Sequence, residues 1–384
     1  MPVVELARGG FHNYGAELML RASLEALRAR LPELVAVVHP DVAGPEQRGE
    51  LGVKTMPPGA ARGGLSKQIT GPLATALLGK SLKRYDMVRV RDLDGCVDMG
   101  GFSLTDQWGA SPAARIAAHT FSFSRRKRPF VFLPQAFGPF QVRAVREFAR
   151  RSIGNAALVY ARDRQSVEMI DQLDTGRECR LCPDITFNYA VEPDEQARDV
   201  VYFVPNARVV DRGGASTSAY LDGMVEAAQT IRAQGLRPEV MVHAPGAADK
   251  HLAVELAKAL GQAPQDVVIP ATGVEAKALL SGSRAVIGSR YHALLGALSG
   301  GVPVLAVGWS HKYEEVLVDL DQPSSLAVRV DESFAERMAD AVELLLNERD
   351  ALAAKCEAML PGIKRQVSSM WDDVATCLAA GATR

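Results

Sequence analysis

The feature that most constrains the fold of this 384-residue sequence is an alternation of short apolar runs with longer segments of helical periodicity. Strands are predicted at residues 3–6, 35–38, 96–99, 130–133, 158–161, 200–204, 240–243, 267–269, 285–287 and 302–307. Helices are predicted at residues 16–30, 142–152, 218–234 and 250–260. Parallel strands need long crossover connections, which helices supply, so the alternation predicts an α/β fold with parallel sheets.

The length predicts two domains, because single hydrophobic cores stop growing at about 250–300 residues. Residues 188–199 are polar and acidic, and an apolar strand follows them, so we place the boundary between residues 192 and 193. The tail, residues 332–378, has a helical pattern that Pro361 and Gly362 should interrupt. We expect this helical tail to pack back onto the first domain.

Composition excludes several classes of protein. The contents of apolar and charged residues, 47% and 23%, are those of an ordinary globular protein, and the net charge of −1 gives no sign of nucleic-acid binding. Five scattered cysteines do not form the framework of a small secreted protein. The sequence has neither a signal-peptide pattern at its start nor an apolar stretch long enough to span a membrane. We expect a cytoplasmic protein, acting free or at the inner face of the membrane.

The strongest indication of chemistry lies in residues 286–320, which predict a strand, a turn, a short helix, a Gly-Gly stop and a second strand. Arg290 and His292 stand at the turn that enters the helix, and Lys312 follows the second strand. Because ligands bind outside the carboxyl ends of parallel strands, these three side chains could converge. Two cations and an imidazole suit a small, multiply charged anion. The alternative is a core histidine beside surface cations.

This segment resembles the C-terminal signature of polysaccharide pyruvyl transferases: Arg-x-His-Ala, a short helix, Gly-Val-Pro-Val and a lysine. Further motifs occur in that family's order and span nearly the whole chain: Asn13-Tyr14-Gly15, Gly100-Gly101, the PQAFGP of residues 134–139, the ARDRQS of residues 161–166, and Pro183-Asp184-Ile185. Each motif alone also has a structural interpretation, such as a tight turn at Gly101 or a helix N-cap at Asp163. One departure concerns Ala16, where the family commonly has aspartate; Glu17 is adjacent, and the general base stays unassigned.

The resemblance implies two Rossmann-like domains in a GT-B-like arrangement with a C-terminal helical tail. It places the saccharide acceptor with residues 1–192 and the donor, phosphoenolpyruvate, with residues 193–384. The implied reaction forms a pyruvate ketal on a sugar of a cell-surface polysaccharide or its precursor and releases phosphate. His292 is the implied catalytic residue, and the implied substrate-binding residues are Arg290, Lys312, Arg162, Asn13, Gly15, Gly101 and Gln135. No metal or cofactor is expected, and the acceptor is either free or lipid-linked.

Two other functions stay open: a GT-B glycosyltransferase that uses a nucleotide sugar, and a non-catalytic family member that binds glycan. The usual nucleotide-binding glycine motifs and the Gly-x-Ser-x-Gly of many hydrolases are absent. The Cys-x-x-Cys at Cys179 and Cys182 lacks the second ligand pair of a zinc site. Residues 125–151 are rich in arginine, which indicates either a solvated face or attraction to anionic lipid and peripheral membrane association.

Overall fold

The computed structural model describes residues 1–57, 86–209, 216–244, 246–308 and 312–382. These residues form two compact units. Unit 1 comprises Met1–Phe11, Met19–Ile185 and Gln366–Arg384, and unit 2 comprises His12–Leu18 and Thr186–Arg365. Each unit contains a parallel sheet with helices, so the predicted α/β fold class is confirmed. The units are not the contiguous halves 1–192 and 193–384, because a short N-terminal segment packs with unit 2 and the C-terminal end packs with unit 1.

The strands are numbered in chain order. In unit 1 they are β1 (Val3–Ala7), β2 (Val35–Val38), β3 (Lys54–Thr55), β4 (Gly95–Asp98), β5 (Phe130–Gln135), β6 (Leu158–Ala161) and β7 (Arg180–Leu181). In unit 2 they are β8 (Val200–Val204), β9 (Arg237–Val240), β10 (Ala285–Gly288), β11 (Val304–Gly308) and β12 (Ala327–Arg329). Strands β2, β6 and β8 have the bounds that their apolar runs predict.

The helices are likewise numbered along the chain. They are α1 (Tyr14–Arg30), α2 (Pro45–Leu51), α3 (Ala110–Arg125), α4 (Arg143–Asn155), α5 (Arg164–Asp171), α6 (Thr217–Ala233), α7 (Ala247–Ala259), α8 (Gly273–Gly282), α9 (Tyr291–Leu298), α10 (Lys312–Asp319), α11 (Phe334–Asn347) and α12 (Arg349–Ala382). None of them, within the described ranges, has both the length and the apolarity to cross a bilayer.

The described strands of unit 1 are ordered β3-β2-β1-β4-β5-β6-β7, and all neighbours are parallel. The order reverses between β1 and β4. The central strands are buried on both faces, and Phe123 of α3 packs on Phe130 of β5, which in turn packs on Phe132. Burial on both faces explains why these strands are apolar runs rather than alternating patterns.

The described strands of unit 2 are ordered β12-β11-β10-β8-β9, again in parallel. Here the order reverses between β8 and β10. The stacked rings of Tyr220 (α6) and Phe334 (α11), 5.8 Å apart, join two helices over this sheet. The separate hydrophobic cores of the two units agree with the two domains that the length predicts.

The C-terminal helix differs from its prediction. Helix α12 continues through Pro361, where we expected an interruption. A proline inside a helix removes one backbone hydrogen bond and crowds the preceding turn, but packing on both sides can hold the remaining turns in place. Buried Leu360 and Ile363 flank this point in unit 2, and buried Trp371 lies farther along in unit 1.

The expected packing of the tail onto the first domain is confirmed for the end of α12. Residues from Gln366 onward belong to unit 1. Arg30 of α1 donates hydrogen bonds to Ser368 and to Asp372, the latter at 2.7 Å. Tyr160 of β6 donates a hydrogen bond to Asp373 at 3.1 Å. These contacts explain why a helix at the end of the sequence completes the first unit.

Two strand predictions in unit 2 differ from the structure more than the others do. A strand is predicted at residues 240–243, but β9 ends at Val240. Residues 241–243 therefore follow the strand. The predicted strand at 267–269 is reduced to a single bridge between Val268 and Met241. Residues 241–243 and Val267 are buried, whereas Ile269 is exposed, so an apolar run need not form a strand ladder.

Candidate functional site

The candidate site of unit 2 lies where its strand order reverses. The segments that follow β8, β9 and β10 contain Asn206, His243 and Arg290, respectively. The side-chain nitrogen Nδ2 of Asn206 donates a hydrogen bond to the Ser289 carbonyl at 3.0 Å, which joins the first of these segments to the last. In open parallel sheets this edge is the usual place for a ligand.

Arg290 is the N-cap residue of α9, with extended backbone dihedral angles. Its Nη2 atom pairs with Oδ2 of buried Asp249, whose Oδ1 accepts a hydrogen bond from the Ala207 amide at 3.1 Å. The Arg290 Nε is also buried and has no hydrogen-bond partner among the described residues. The guanidinium is therefore fixed by one carboxylate while a second donor stays available, which suits an arginine that binds an anion.

His292 lies in the first turn of α9, directly against the N-terminal segment of the chain. A Cβ atom added at Gly15 would lie 2.3 Å from Nδ1 and 2.4 Å from Cγ of His292. The Tyr291 ring meets the His292 ring edge-on, with centroids 5.6 Å apart. Gly15 therefore gives room to the imidazole, and the structure brings together three of the predicted residues, Arg290, His292 and Gly15.

His243 is a second histidine of this site. It is buried, its ring meets the Tyr14 ring edge-on at 5.5 Å, and its Nε2 has no hydrogen-bond partner in the described part of the chain. Burial, and then the positive charges of His292 and Arg290, lower the pKa of His243 to about 3. His243 is thus a neutral imidazole at physiological pH, beside two groups that can carry positive charge.

The segment His12–Leu18 is held in unit 2 by its own polar groups. The Asn13 side chain accepts a hydrogen bond from the Ala16 amide at 2.8 Å and so caps α1. The Tyr14 hydroxyl donates to the Pro270 carbonyl. The Glu17 carboxylate accepts from the Gly273 amide at 2.8 Å, at the positive end of α8. Glu17 therefore serves to attach this segment to unit 2.

The other predicted residues lie elsewhere. Lys312 begins α10, and its side chain lies outside the described residues. Gly101, Gln135 and Arg162 belong to unit 1, where the Gly101 carbonyl accepts from the Ala136 amide at 2.9 Å. The Gln135 carbonyl accepts from the Arg162 amide at 3.2 Å. These three residues are neighbours in unit 1, whereas Arg290 and His292 belong to unit 2.

Arg162 is more deeply buried than a surface substrate contact would be. Its guanidinium lies 3.6 Å from the carboxylate of Asp184, and both side chains are almost fully buried. Asp163 accepts a hydrogen bond from the Ser166 amide at 2.7 Å, so its predicted role as the N-cap of α5 is confirmed. Asp184 thus acts as the counter-charge of Arg162, and a substrate contact by Arg162 stays a prediction.

Several arginines of residues 125–151 have partners within unit 1. Arg126 donates to the Val90 carbonyl, and Arg128 donates to the Gly381 carbonyl. Arg150 and Arg151 both donate hydrogen bonds to half-buried Glu147, and these bonds lower the pKa of Glu147 to about 2. This part of the sequence is therefore partly used to join elements of the fold, and membrane association stays a prediction.

Sequence reasoning missed His243 and Asp249. His243 was assigned to the end of a strand, although it actually follows one, at the edge where ligands collect. Asp249 directly precedes the helix predicted at residues 250–260, and only the fold brings it to Arg290. A rule that examines every polar residue after a parallel strand would have found His243 but not Asp249.

The buried neutral state of His243 makes the stability of the protein depend on pH. Between about pH 3 and its ordinary pKa of 6.5, the unfolded chain binds a proton at this residue that the folded protein does not. Stability should therefore fall as pH decreases below 6.5, at about 1.4 kcal/mol per pH unit for one proton. When the pH falls from about 7.5 to about 5.5, the free energy of unfolding of the wild type should decrease by about 1.4 kcal/mol more than that of His243→Gln. Denaturant titrations at both pH values would measure this difference, and equal losses in the two proteins would contradict it.

Solved structures similar to this chain have two α/β units of the GT-B type. UDP-GlcNAc 2-epimerase from Neisseria meningitidis, solved with UDP-GlcNAc, is 11% identical with a TM-score of 0.60, over 99% of this chain and 100% of that one. An Anabaena protein solved with UDP-glucose is 13% identical with a TM-score of 0.58, over 97% and 100%. An Arabidopsis thaliana protein solved with UDP is 13% identical with a TM-score of 0.55, over 98% and 100%. At these identities the likeness supports the fold alone.

Sequence comparison adds the family. No curated protein matches the chain. The profile of polysaccharide pyruvyl transferases matches residues 13–311, a region that begins at the Asn13 cap and includes both Arg290 and His292. More than half of the chain lies in this match, and the motifs that carried the resemblance lie within it, except for Lys312, which follows it directly. The chain belongs to the polysaccharide pyruvyl transferase family.

Proposed function

We propose that this protein transfers the pyruvyl group of phosphoenolpyruvate to a saccharide as a cyclic ketal and releases phosphate. The observation that carries the proposal is the meeting of Arg290, His292 and His243 at the strand reversal of unit 2. This meeting combines a fixed cation, a histidine that can transfer a proton and a neutral histidine. A small anion whose reaction requires a proton suits such a set of groups.

Arg290 supports the binding of the anionic donor. Its Nε lies outside the bond to Asp249, and the amides at the start of α9 add positive potential at the same place. A carboxylate or phosphate oxygen there would gain charge-assisted hydrogen bonds. The resemblance to the family supplies Lys312 as a second cation, and that role stays a prediction.

His292 supports the proton transfer. His243 is held neutral by burial, so it is not the cationic acid near neutral pH. The donor needs a proton at its methylene carbon, and we assign that proton to His292. Gly15, which lies against the His292 ring, would fix the ring for this transfer.

Protonation of the methylene carbon gives an oxocarbenium-like centre at the neighbouring carbon of the donor. One sugar hydroxyl then forms a bond to that centre and loses its proton, which restores the proton that His292 gave up. The bond from the centre to the phosphate oxygen breaks, and a second hydroxyl of the sugar forms the other ketal bond. The proton of this second hydroxyl leaves with phosphate, so atoms and charges balance.

Titration calorimetry tests the donor. Wild-type protein should bind phosphoenolpyruvate, and Arg290→Ala should weaken that binding by about 10- to 150-fold, which corresponds to the loss of ~1.5–3 kcal/mol for a hydrogen bond to a charged group. Arg290→Lys keeps the charge beside Asp249 and should lose less affinity. Arg237→Ala is the matched control, because Arg237 is an exposed arginine of unit 2 that pairs with Asp199. Equal binding by wild type and Arg290→Ala would contradict the proposed donor site.

The same titration separates the alternatives. A panel of nucleotide sugars in place of phosphoenolpyruvate tests the glycosyltransferase function. Binding of a nucleotide sugar without binding of phosphoenolpyruvate would contradict our proposal and favour a glycosyltransferase. Binding of neither donor, together with binding of a saccharide, would favour the non-catalytic glycan-binding function. A cytoplasmic location, the nature of the sugar and its attachment to lipid stay predictions.

A further inference from the structure

The strand order of unit 1 also reverses, and a cavity of about 440 Å³ lies at that reversal. Residues at the end of β1 and in the segments after β2 and β4 line it, together with one face of α3. The volume lies within the range of roughly 300–1,000 Å³ that small-molecule sites occupy. Ligands of open parallel sheets bind at such reversals. This position differs from that of Arg290 and His292, which belong to unit 2.

The polar groups of the cavity surround a hydrogen-bonded pair. The polar and charged lining residues are Glu5, Arg8, His39, Ser103, Arg115 and His119. The Nε2 atom of His119 lies 2.9 Å from Oε2 of buried Glu5, and the His119 ring packs edge-on against Phe123 and Phe130 at 5.4 and 5.3 Å. The ring is therefore held by its Nε2 atom and by its sides. Its Nδ1 can then bond to a ligand hydroxyl, as acceptor or as donor according to its protonation.

The charges of this cavity are largely compensated. Burial alone would raise the pKa of Glu5, but the charges of His119, Arg8 and His39 outweigh burial and lower it, so the carboxylate is ionised. Arg8 pairs with Asp98 through two hydrogen bonds, of which the one from Nε to Oδ1 measures 2.8 Å. Arg8 thus has Asp98 as its counter-charge, and the Glu5 carboxylate lies beside Arg8 and within hydrogen-bond distance of His119. Such a site favours a neutral ligand with many hydroxyl groups over a small multiply charged anion.

Backbone strain marks the same place. Arg8 has a φ of 64°, a left-handed conformation that is uncommon for a residue other than glycine. Asp98, the partner of Arg8, also accepts a hydrogen bond from the Gly100 amide at 2.9 Å. A Cβ atom at Gly100 would lie 2.4 Å from the hydroxyl oxygen of Ser103, so this glycine lets Ser103 approach. The strained residue and the Gly-Gly turn therefore shape the wall of one cavity.

Aromatic residues supply the apolar part of the lining. Phe102 and Trp108 both line the cavity, and Trp108 is 42% exposed. The indole Nε1 donates to the Phe102 carbonyl at 2.7 Å, so the polar edge of Trp108 is occupied within its own loop. What remains exposed is apolar ring surface. An aromatic body beside a few fixed polar groups is the usual composition of a site for a small organic ligand.

We propose that this cavity binds the acceptor saccharide, as an uncharged sugar ring whose hydroxyls bond to His119 and its polar neighbours and whose apolar face packs on Trp108. The inference rests on the proposed function, which requires a saccharide, and on the resemblance, which implies that residues 1–192 bind it; the inference adds the residues that line the site and the uncharged character of the sugar. Glu5 and Arg8 precede residues 13–311, so the match to the family does not include them.

A metal ion is the competing occupant. Ligand atoms of Glu5, Cys96 and His119 lie within 4.8 Å of one another. Burial, and then the charge of Glu5, raise the pKa of Cys96 well above its ordinary value, so the thiol keeps its proton. Glu5 and His119 already satisfy each other at 2.9 Å, and Arg8 places positive charge beside them. These contacts favour the sugar.

Saturation-transfer NMR with a panel of p-nitrophenyl glycosides tests the cavity directly. At least one glycoside should bind wild type, and Trp108→Ala and His119→Gln should each weaken that binding by about fivefold to tenfold, the size of one lost hydrogen bond or packing contact. Trp108 is exposed, so its variant should fold normally even if the buried Glu5–His119 pair does not tolerate substitution. Phe121→Ala is the matched control, because Phe121 is an exposed aromatic residue of α3, 53% accessible, that does not line the cavity.

Each outcome has a defined meaning. Weakened glycoside binding in both cavity variants, with unchanged binding in Phe121→Ala and unchanged phosphoenolpyruvate binding in all proteins, supports the proposal. Unchanged glycoside binding in Trp108→Ala and His119→Gln, or no binding of any glycoside to wild type, overturns it. Stoichiometric zinc in the purified protein that Cys96→Ser removes also overturns it, in favour of a metal. Failure of wild type to bind phosphoenolpyruvate refutes the proposed function separately, because that measurement does not involve the glycosides.

Discussion

Replacing His292 with glutamine is expected to lower the turnover of ketal formation by about 10²–10⁴-fold, the usual contribution of a positioned proton donor. Glutamine is a polar side chain of moderate size, but it cannot donate a proton to carbon. Affinity for phosphoenolpyruvate should change much less than turnover, because Arg290 and Asp249 are untouched. Phosphate release and the methyl signal of the ketal in NMR, with phosphoenolpyruvate and a glycoside that wild type accepts, would measure the effect.

The control for this substitution is His251→Gln. His251 is an exposed histidine of unit 2 that pairs with Glu255, and its replacement should leave turnover unchanged. In heavy water, the wild-type product should carry one deuterium in the ketal methyl group, since the donated proton comes from an exchangeable group. A His292→Gln protein with full activity would refute the assignment of this residue as the acid.

Gly15→Ala is expected to reduce activity by about 100-fold, as a misplacement of about 1 Å in a catalytic group does. The new Cβ would lie 2.3 Å from Nδ1 of His292, closer than any stable contact, so the ring must move. The free energy of unfolding should also fall, by about 1–3 kcal/mol, because the substitution overfills a packed region. Turnover assays and denaturant titration on the same protein would measure both effects.

Gly362→Ala gives the matched comparison. Gly362 is a helical glycine of the same unit with no neighbouring atom within 4 Å of an added Cβ, so alanine should fit. Removing a glycine from a helix interior should stabilise the protein by about 0.5–1 kcal/mol. If Gly15→Ala behaved like Gly362→Ala, with normal turnover and no loss of stability, the contact between Gly15 and His292 would not control the site.

The sequence predicted secondary structure best where a strand is buried on both faces. Such strands consist of consecutive apolar residues with a clear start and end, and β2, β6 and β8 have their predicted bounds. Helix α3 was missed, because its apolar residues are interrupted by serine, histidine and arginine and its face toward the core is narrow. Helix α12 continued through Pro361 because packing on either side of the proline outweighed the lost hydrogen bond.

The candidate site divides in the same way. Arg290 and His292 could be predicted because both belong to one local motif, a polar turn between a buried strand and a short helix. Asp249 and Tyr14 could not, since nothing local distinguishes an acidic residue early in a helix or a tyrosine after asparagine. Their roles come from contacts with residues that are far away in the sequence.

The sequence by itself determined the α/β class, the presence of two units and the family, because apolar periodicity and ordered motifs are properties of the chain as written. Only the tertiary structure decided that residues 12–18 join unit 2, that Glu17 binds the start of α8, and that burial beside positive charge keeps His243 neutral. The reason is physical: burial, hydrogen bonding and charge depend on which distant residues meet, and these meetings exist only after the chain has folded.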